Sequence, residues 1–96
     1  MKMVVIAYAE GLEGELMALL KANSVGSYTK WTKVLGKGQK SGPHLLTHVW
    51  PKGNNVIMIS IEDERAEKLL EAVGRLRETL GHEGVKAFLI PLEAVT

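Results

Sequence analysis

The sequence contains no cysteine. That excludes a disulfide framework, a thiolate nucleophile and a thiolate metal site. Long apolar runs are missing as well. The longest, MVVIAYA and VIMISI, fall well short of the about 20 residues that a helix needs to cross a bilayer. The N-terminal MKMVVIAYAEG has one lysine and a short apolar stretch, but no small-residue cleavage site before the first acid. It reads as a strand, not a signal peptide. A cytoplasmic protein without membrane insertion is expected. Aromatic residues make up only 5% of the chain, and its two tryptophans, Trp31 and Trp50, flank the basic middle stretch.

The most informative absence is of negative charge. From Leu16 to Ile61 there are six lysines and no Asp or Glu, giving +6; the other fifty residues hold eleven acids and six bases, giving −5. A nearly neutral chain divided in this way points to an anionic partner rather than to a particular fold. Nucleic acid is not expected, because the net charge is only +1 and the lysines are few for tracking a phosphate backbone.

What is present fits one domain over residues 1–96. The hydrophobic content of 46% and charged content of 24% suit a single modest core. Lys2 to Ala9 is an almost unbroken apolar run with β-branched residues, which predicts a strand buried on both faces. Leucines at 12, 16, 19 and 20 recur at helical spacing and predict a helix from Gly11 to Asn23. Ser27 to Leu35 alternates polar and apolar residues, as a strand with one wet face does. Pro51 and Gly53-Asn54-Asn55 break the chain before a second apolar strand, Val56 to Ile61. Glu62 to Leu80 carries an apolar stripe at 66, 69, 70, 73, 76 and 80, acids in its first turn, and possible i,i+4 pairs Glu64–Lys68 and Glu71–Arg75. Gly81 is its natural stop. Val85 to Ile90 is the last strand, ended by Pro91.

This order, βαββαβ, predicts the ferredoxin-like α+β fold: a four-stranded antiparallel sheet with two helices on one face. Two helices leave the other face bare. Yet the first strand is apolar on both sides (Met3, Val5, Ala7; Val4, Ile6, Tyr8), and so is the third (Ile57, Ile59, Ile61; Val56, Met58). An uncovered apolar face is usually an interface, so self-association is expected.

The glycine-punctuated stretch from Gly36 to Gly53, GKGQKSGPHLLTHVWPKG, is the main candidate for chemistry. Backbone N–H groups at Gly36, Gly38 and Gly42, with Lys37, Lys40 and Lys52, can cradle phosphate or carboxylate oxygens. It is not a P-loop, lacking the GxxxxGK-Ser/Thr spacing between strand and helix. The alternative is a solvated hairpin whose lysines serve solubility; the acid-free surroundings favour the anion site. His44 and His48 on extended chain would share a face but stand about 13 Å apart, at roughly 3.3 Å per residue. They could not grip one metal within a subunit, so structural or interfacial roles are the simpler reading. His82, beside Gly81, would ease the helix dipole. Trp31 and Trp50 could stack on a base, although packing or a subunit interface is the simpler explanation for each. No nucleophile stands at a recognisable spacing from a base, so an enzyme is not expected.

In this order the chain resembles the PII family of nitrogen-regulatory signal proteins. The resemblance rests on Thr-x-Val-x-Gly-x-Gly at Thr32 to Gly38 continuing as GQKSG, on Trp50-Pro51-Lys52, on the helix ERAEKLLEAV and on the ending KAFLIPLEAV. It implies a trimer of ferredoxin-like subunits that binds ATP or ADP in clefts between subunits, signalling through a long loop that docks on a protein target. Carried over by position, Gly36 and Gly38 match the loop-base glycines near the phosphates. Lys52 matches a lysine that approaches them, and Lys86 matches the family lysine at the start of the last strand. Gln39 corresponds loosely to the family glutamine, with one residue of the usual Gly-x-Gly-Arg-Gln-Lys run missing.

The departures describe a short, divergent member. The loop is shorter than usual and has no tyrosine, so the usual uridylylation site is absent. The turn before the last strand is only GHEGVK, and Thr96 precedes the arginines of typical members. These weigh against a complete ATP and 2-oxoglutarate site. The expectation is a PII-like trimeric regulator that binds an anionic small molecule, with ATP, ADP or AMP the first choice, and acts through residues 36–53. Two alternatives stay open: a CutA-like metal-responsive trimer using His44 and His48 across subunits, and a small enzyme acting on an anionic substrate.

Overall fold

The computed structural model describes residues 1–37 and 53–96. Strand β1 (Lys2–Ala9) leads through a single 3-10 turn (Glu10–Leu12) into helix α1 (Glu13–Ala22), and β2 (Thr29–Val34) follows. Strand β3 (Asn54–Ile61), helix α2 (Asp63–Thr79) and β4 (Val85–Pro91) complete the chain. The sheet is antiparallel with strand order β2-β3-β1-β4. With two helices on one side, this is the ferredoxin-like arrangement expected from the element order.

Most elements form where their apolar periodicity lies. Along β1, Val4, Ile6 and Tyr8 are buried; along β3, Ile57, Ile59 and Ile61 are. These positions alternate, so they share the face covered by the helices. Leu16 and Leu20 of α1 and Ala66, Leu69 and Val73 of α2 pack onto that face and form the core with Val25 and Val85. The stripe of α2 is therefore the predicted one at 66, 69, 73, 76 and 80, while Leu70 is half-buried and stands outside the core cluster. The ion pairs of α2 are not the predicted ones: among the described residues, the amino terminus meets Asp63 and Arg65 meets Glu62, whereas Glu64–Lys68 and Glu71–Arg75 are not within pairing distance. Helix α2 stops as its sequence suggested. Gly81 has φ +73°, and its N–H and that of His82 donate back to the Glu78 and Arg77 carbonyls, a Schellman-type closure.

Several boundaries differ from expectation. Strand β2 is shorter than the predicted Ser27–Leu35, covering Thr29–Val34. The first turn before α1 is 3-10, so the α-helix starts at Glu13 rather than Gly11. Strand β4 takes in Pro91, which an edge strand tolerates. Most consequentially, Asn54 and Asn55 do not break the chain but open β3, pairing with Ala9 and Tyr8 of β1. Asn55 is buried at 6% exposure; its side chain has a long-range partner that offsets the usual disfavour of asparagine in strands.

The sheet face away from the helices is open in the single chain. The register sets its side chains in rows: Ile90, Met3 and Ser60; Phe88, Val5, Met58 and Thr29; Lys86, Ala7, Val56 and Trp31. Met3, Val5 and Ala7 are thus half-buried rather than buried on the second face of β1 as predicted, because nothing in one chain covers them. Phe88, Ile90 and Trp31 are exposed. No helix among the described residues is long and apolar enough to cross a membrane.

Candidate ligand site at the loop root

The chain leaves β2 at Leu35-Gly36-Lys37 and re-enters the described structure at Gly53, immediately before β3. The β2–β3 ladder is irregular here. Trp31 faces Val56, yet the next pair is Val34 with Asn54. Thr32 and Lys33 therefore lie opposite the single residue Asn55, and Lys33 takes a left-handed φ of +57°. Such a bulge bends its strand and re-aims the residues beyond it. Packing at the root is tight. A Cβ at Gly36 would overlap the Asn54 side-chain amide, and one at Gly53 would lie 3.2 Å from Lys33 Cα. Glu10 N–H donates to the Gly53 carbonyl at 3.2 Å, and Ala9 N–H to that of Gly84 at 2.9 Å. The loop root, the turn into α1 and the turn into β4 thus meet at one end of the sheet.

Of the sequence-predicted site residues, Gly36 and Lys37 lie at this root, on the β2 edge. Lys86 lies on β4, at the opposite edge. It stands in the same sheet row as Trp31, across three strand spacings or about 14 Å, and its ammonium lies 5.6 Å from the Phe88 ring centroid. One chain therefore does not bring Lys37 and Lys86 together. Gly38, Gln39, Lys40 and Lys52, together with His44, His48 and Trp50, lie outside the described residues. Among the described residues no three His, Cys, Asp or Glu side chains converge as a metal site would require.

Sequence reasoning missed a polar cluster on the helix side of the root. Glu13, at the start of α1, receives three donors from three strands: Tyr8 Oη of β1 at 2.6 Å, Asn55 Nδ2 of β3 at 3.0 Å, and Lys30 Nζ of β2. Tyr8 and Asn55 share Oε1, and Lys30 takes Oε2. The Lys30 hydrogen bond, then that of Tyr8, holds the Glu13 carboxyl below its usual range against a smaller opposing effect of burial. Burial, and then the Glu13 carboxylate, push the Tyr8 hydroxyl well above the ordinary tyrosine value. The one signal in the sequence was a polar-tipped Tyr8 near the end of an apolar strand, five residues before Glu13. Asn55, 42 residues beyond Glu13, gave none.

This architecture defines an α+β protein with a ferredoxin-like sheet, a tightly packed root where β2 ends and β3 begins, and a bare apolar face. The sequence model of the family Nitrogen regulatory protein P-II matches residues 1–96, and the chain belongs to that family. No curated protein matches it. Among solved structures it is similar to CPII of Thiomonas intermedia K12 bound to ADP, AMP and acetate. That match has a TM-score of 0.71 and 19% identity, covering 93% of this chain and 82% of the other. CPII bound to ADP, AMP and bicarbonate gives 0.66 and 21%, covering 99% and 94%. A putative PII-like signalling protein of Thermus thermophilus gives 0.64 and 24%, covering 92% and 81%. The shared fold is therefore independent of close sequence similarity.

Proposed function

We propose that this chain is a PII-type regulator, not an enzyme. It assembles as a trimer through its open sheet face and holds an adenine nucleotide in the clefts between subunits. The observation that carries the reading is the separation of Lys37 and Lys86 on opposite edges of one sheet. Two lysines that serve one anion from opposite edges must come from two copies. The bare row from Phe88 through Val5 to Met58 supplies apolar surface for those copies to bury.

Family membership supports the regulatory role, and the binding of ADP and AMP by CPII supports the choice of ligand. In the cleft, Gly36, Gly38 and Gln39 would offer backbone and side-chain donors to phosphate oxygens. Lys37, Lys40, Lys52 and the neighbouring copy's Lys86 would neutralise their charge. Trp31, exposed at the end of the Lys86 row, would stack on the base. Nucleotide occupancy would then alter how residues 36–53 meet a protein target. Calorimetry with ADP, AMP and ATP, each with and without bicarbonate, tests the reading. Saturable binding of at least one nucleotide to a species of three copies is expected. A monomer that gives no heat with any of them would overturn it.

A further inference from the structure

We infer that Glu13 is a positioning residue for the loop root, fixing through one carboxylate the two strands that flank residues 36–53 in the chain. Lys30 lies on the outgoing strand, Asn55 on the incoming one, and each is bonded to a different Glu13 oxygen. The backbone does not do this work alone, because the β2–β3 ladder slips between Trp31 and Val34. Asn55 is the residue opposite the slip. Its bond to Glu13 therefore pins β3 at the position where the ladder is irregular, while Lys30 pins β2 one residue before the last regular pair, Trp31 with Val56.

The geometry gives Asn55 little freedom to do otherwise. It is 6% exposed, and its Oδ1 has no hydrogen-bond partner among the described residues. Rotating the amide would set that oxygen against the Glu13 carboxylate, so the bond to Glu13 fixes the side chain in one orientation. Tyr8 closes the cluster from β1, and Met17 Sδ stands 3.9 Å from the Lys30 ammonium. Glu13 in turn begins α1 immediately after the turn in which Glu10 N–H holds the Gly53 carbonyl. The start of α1 and both sides of the loop root thus form one hydrogen-bonded unit. Its consequence for nucleotide binding rests on the function proposed above; its consequence for the root does not.

The test is amide hydrogen exchange on the full chain without ligand, comparing wild type with Glu13→Gln and Lys30→Met. Loss of the charge-assisted bonds should speed exchange about tenfold in residues 29–34 and 54–57, where local opening is otherwise held down. Exchange in the β1–β4 pairing should be unchanged. The two substitutions act through one carboxylate, so their combination should cost little more than the larger alone. Uniform acceleration across the sheet, no acceleration at the root, or strictly additive effects would each overturn the inference. Nucleotide titration of the same variants is the second arm. Affinity weakened in step with root opening extends the inference to the ligand, and affinity unchanged despite root opening overturns that extension. A wild type that binds no nucleotide defeats the functional reading and leaves the exchange result to decide the positioning role.

Discussion

Lys86 and Trp31 stand at the two ends of one row of side chains that crosses all four strands, with Ala7 and Val56 between them. The row has a cation at one margin, an aromatic ring at the other and small apolar groups in the middle. A surface of this kind is suited to being covered by another copy of itself, with its polar margins left at the seam. The centre of the adjacent row, Val5, is then the position where a charge does most harm to assembly and least to the fold. Val5→Lys should leave the helical and sheet signals of circular dichroism intact. Light scattering should show the species reduced to one copy, since burying an unpaired ammonium in an apolar interface costs several kcal/mol. Retention of the wild-type mass would show that this face is not the contact.

The Glu13 cluster makes stability depend on pH at both ends. The Glu13 carboxyl is depressed in the folded state, so its contribution is present above the usual carboxylate range and is lost as pH falls through its folded value. The Tyr8 hydroxyl is raised, so its contribution holds below the ordinary tyrosine value of about 10 and is lost as pH rises beyond it. Stability should be broadest between these limits. The acid-side loss from Glu13 should be on the order of 1 kcal/mol, because its side chain is 40% exposed and partly screened. Denaturant unfolding at about pH 7 and about pH 3, either side of the ordinary carboxylate range, should show Glu13→Gln losing less on acidification than wild type. Equal losses would place the acid sensitivity elsewhere, for example at Asp63 and Glu62, which are also depressed, by the amino terminus and by local hydrogen bonds respectively.

How much of this was legible beforehand depends on the range of the interactions. The strands Lys2–Ala9 and Val56–Ile61 and the helix over residues 63–79 follow from period-two and period-3.6 apolar patterns, which are local properties. The bare face followed from counting helices against a sheet with two apolar sides. Asn54 and Asn55 were misread as a break because asparagine is rare in strands, and the reason Asn55 is accepted here lies in Glu13. No pattern within a short window of sequence contains that contact. The same holds for the lysines. Their accumulation between Leu16 and Ile61 was visible, but strand order alone reveals that Lys37 and Lys86 occupy opposite edges.

The two glycines of the loop root should respond differently to alanine. At Gly36 the added methyl meets the Asn54 side-chain amide, which can rotate away. At Gly53 it meets Lys33 Cα at 3.2 Å, and the Lys33 carbonyl carbon and the Val34 carbonyl oxygen at 3.3 Å. Those are backbone atoms on a strand that is already bulged. Gly53→Ala should therefore destabilise the chain by about 1–3 kcal/mol, as overpacking does when the neighbours cannot give, and Gly36→Ala by clearly less. Thermal or urea unfolding of the two variants side by side decides it. The reverse order would mean that β2 yields more easily than the side chain of Asn54.

The assignment of the site to two copies can be tested by complementation. Lys37→Met and Lys86→Met should each weaken nucleotide binding by about tenfold or more, as loss of a charge-assisted phosphate contact does. In a homogeneous ring of either variant every cleft is defective, whichever copy contributes which lysine. When the two variants are unfolded together and refolded as mixed rings, some clefts receive Lys37 from one chain and Lys86 from its neighbour. For random mixing in equal amounts in a closed ring, roughly a quarter of the clefts regain both lysines. Calorimetry of the mixture should then recover that fraction of sites at wild-type affinity. A site lying wholly within one chain would recover none, since every chain in the mixture still lacks one of the two. Recovery therefore separates an intersubunit cleft from a single-chain site even where both variants taken alone behave identically.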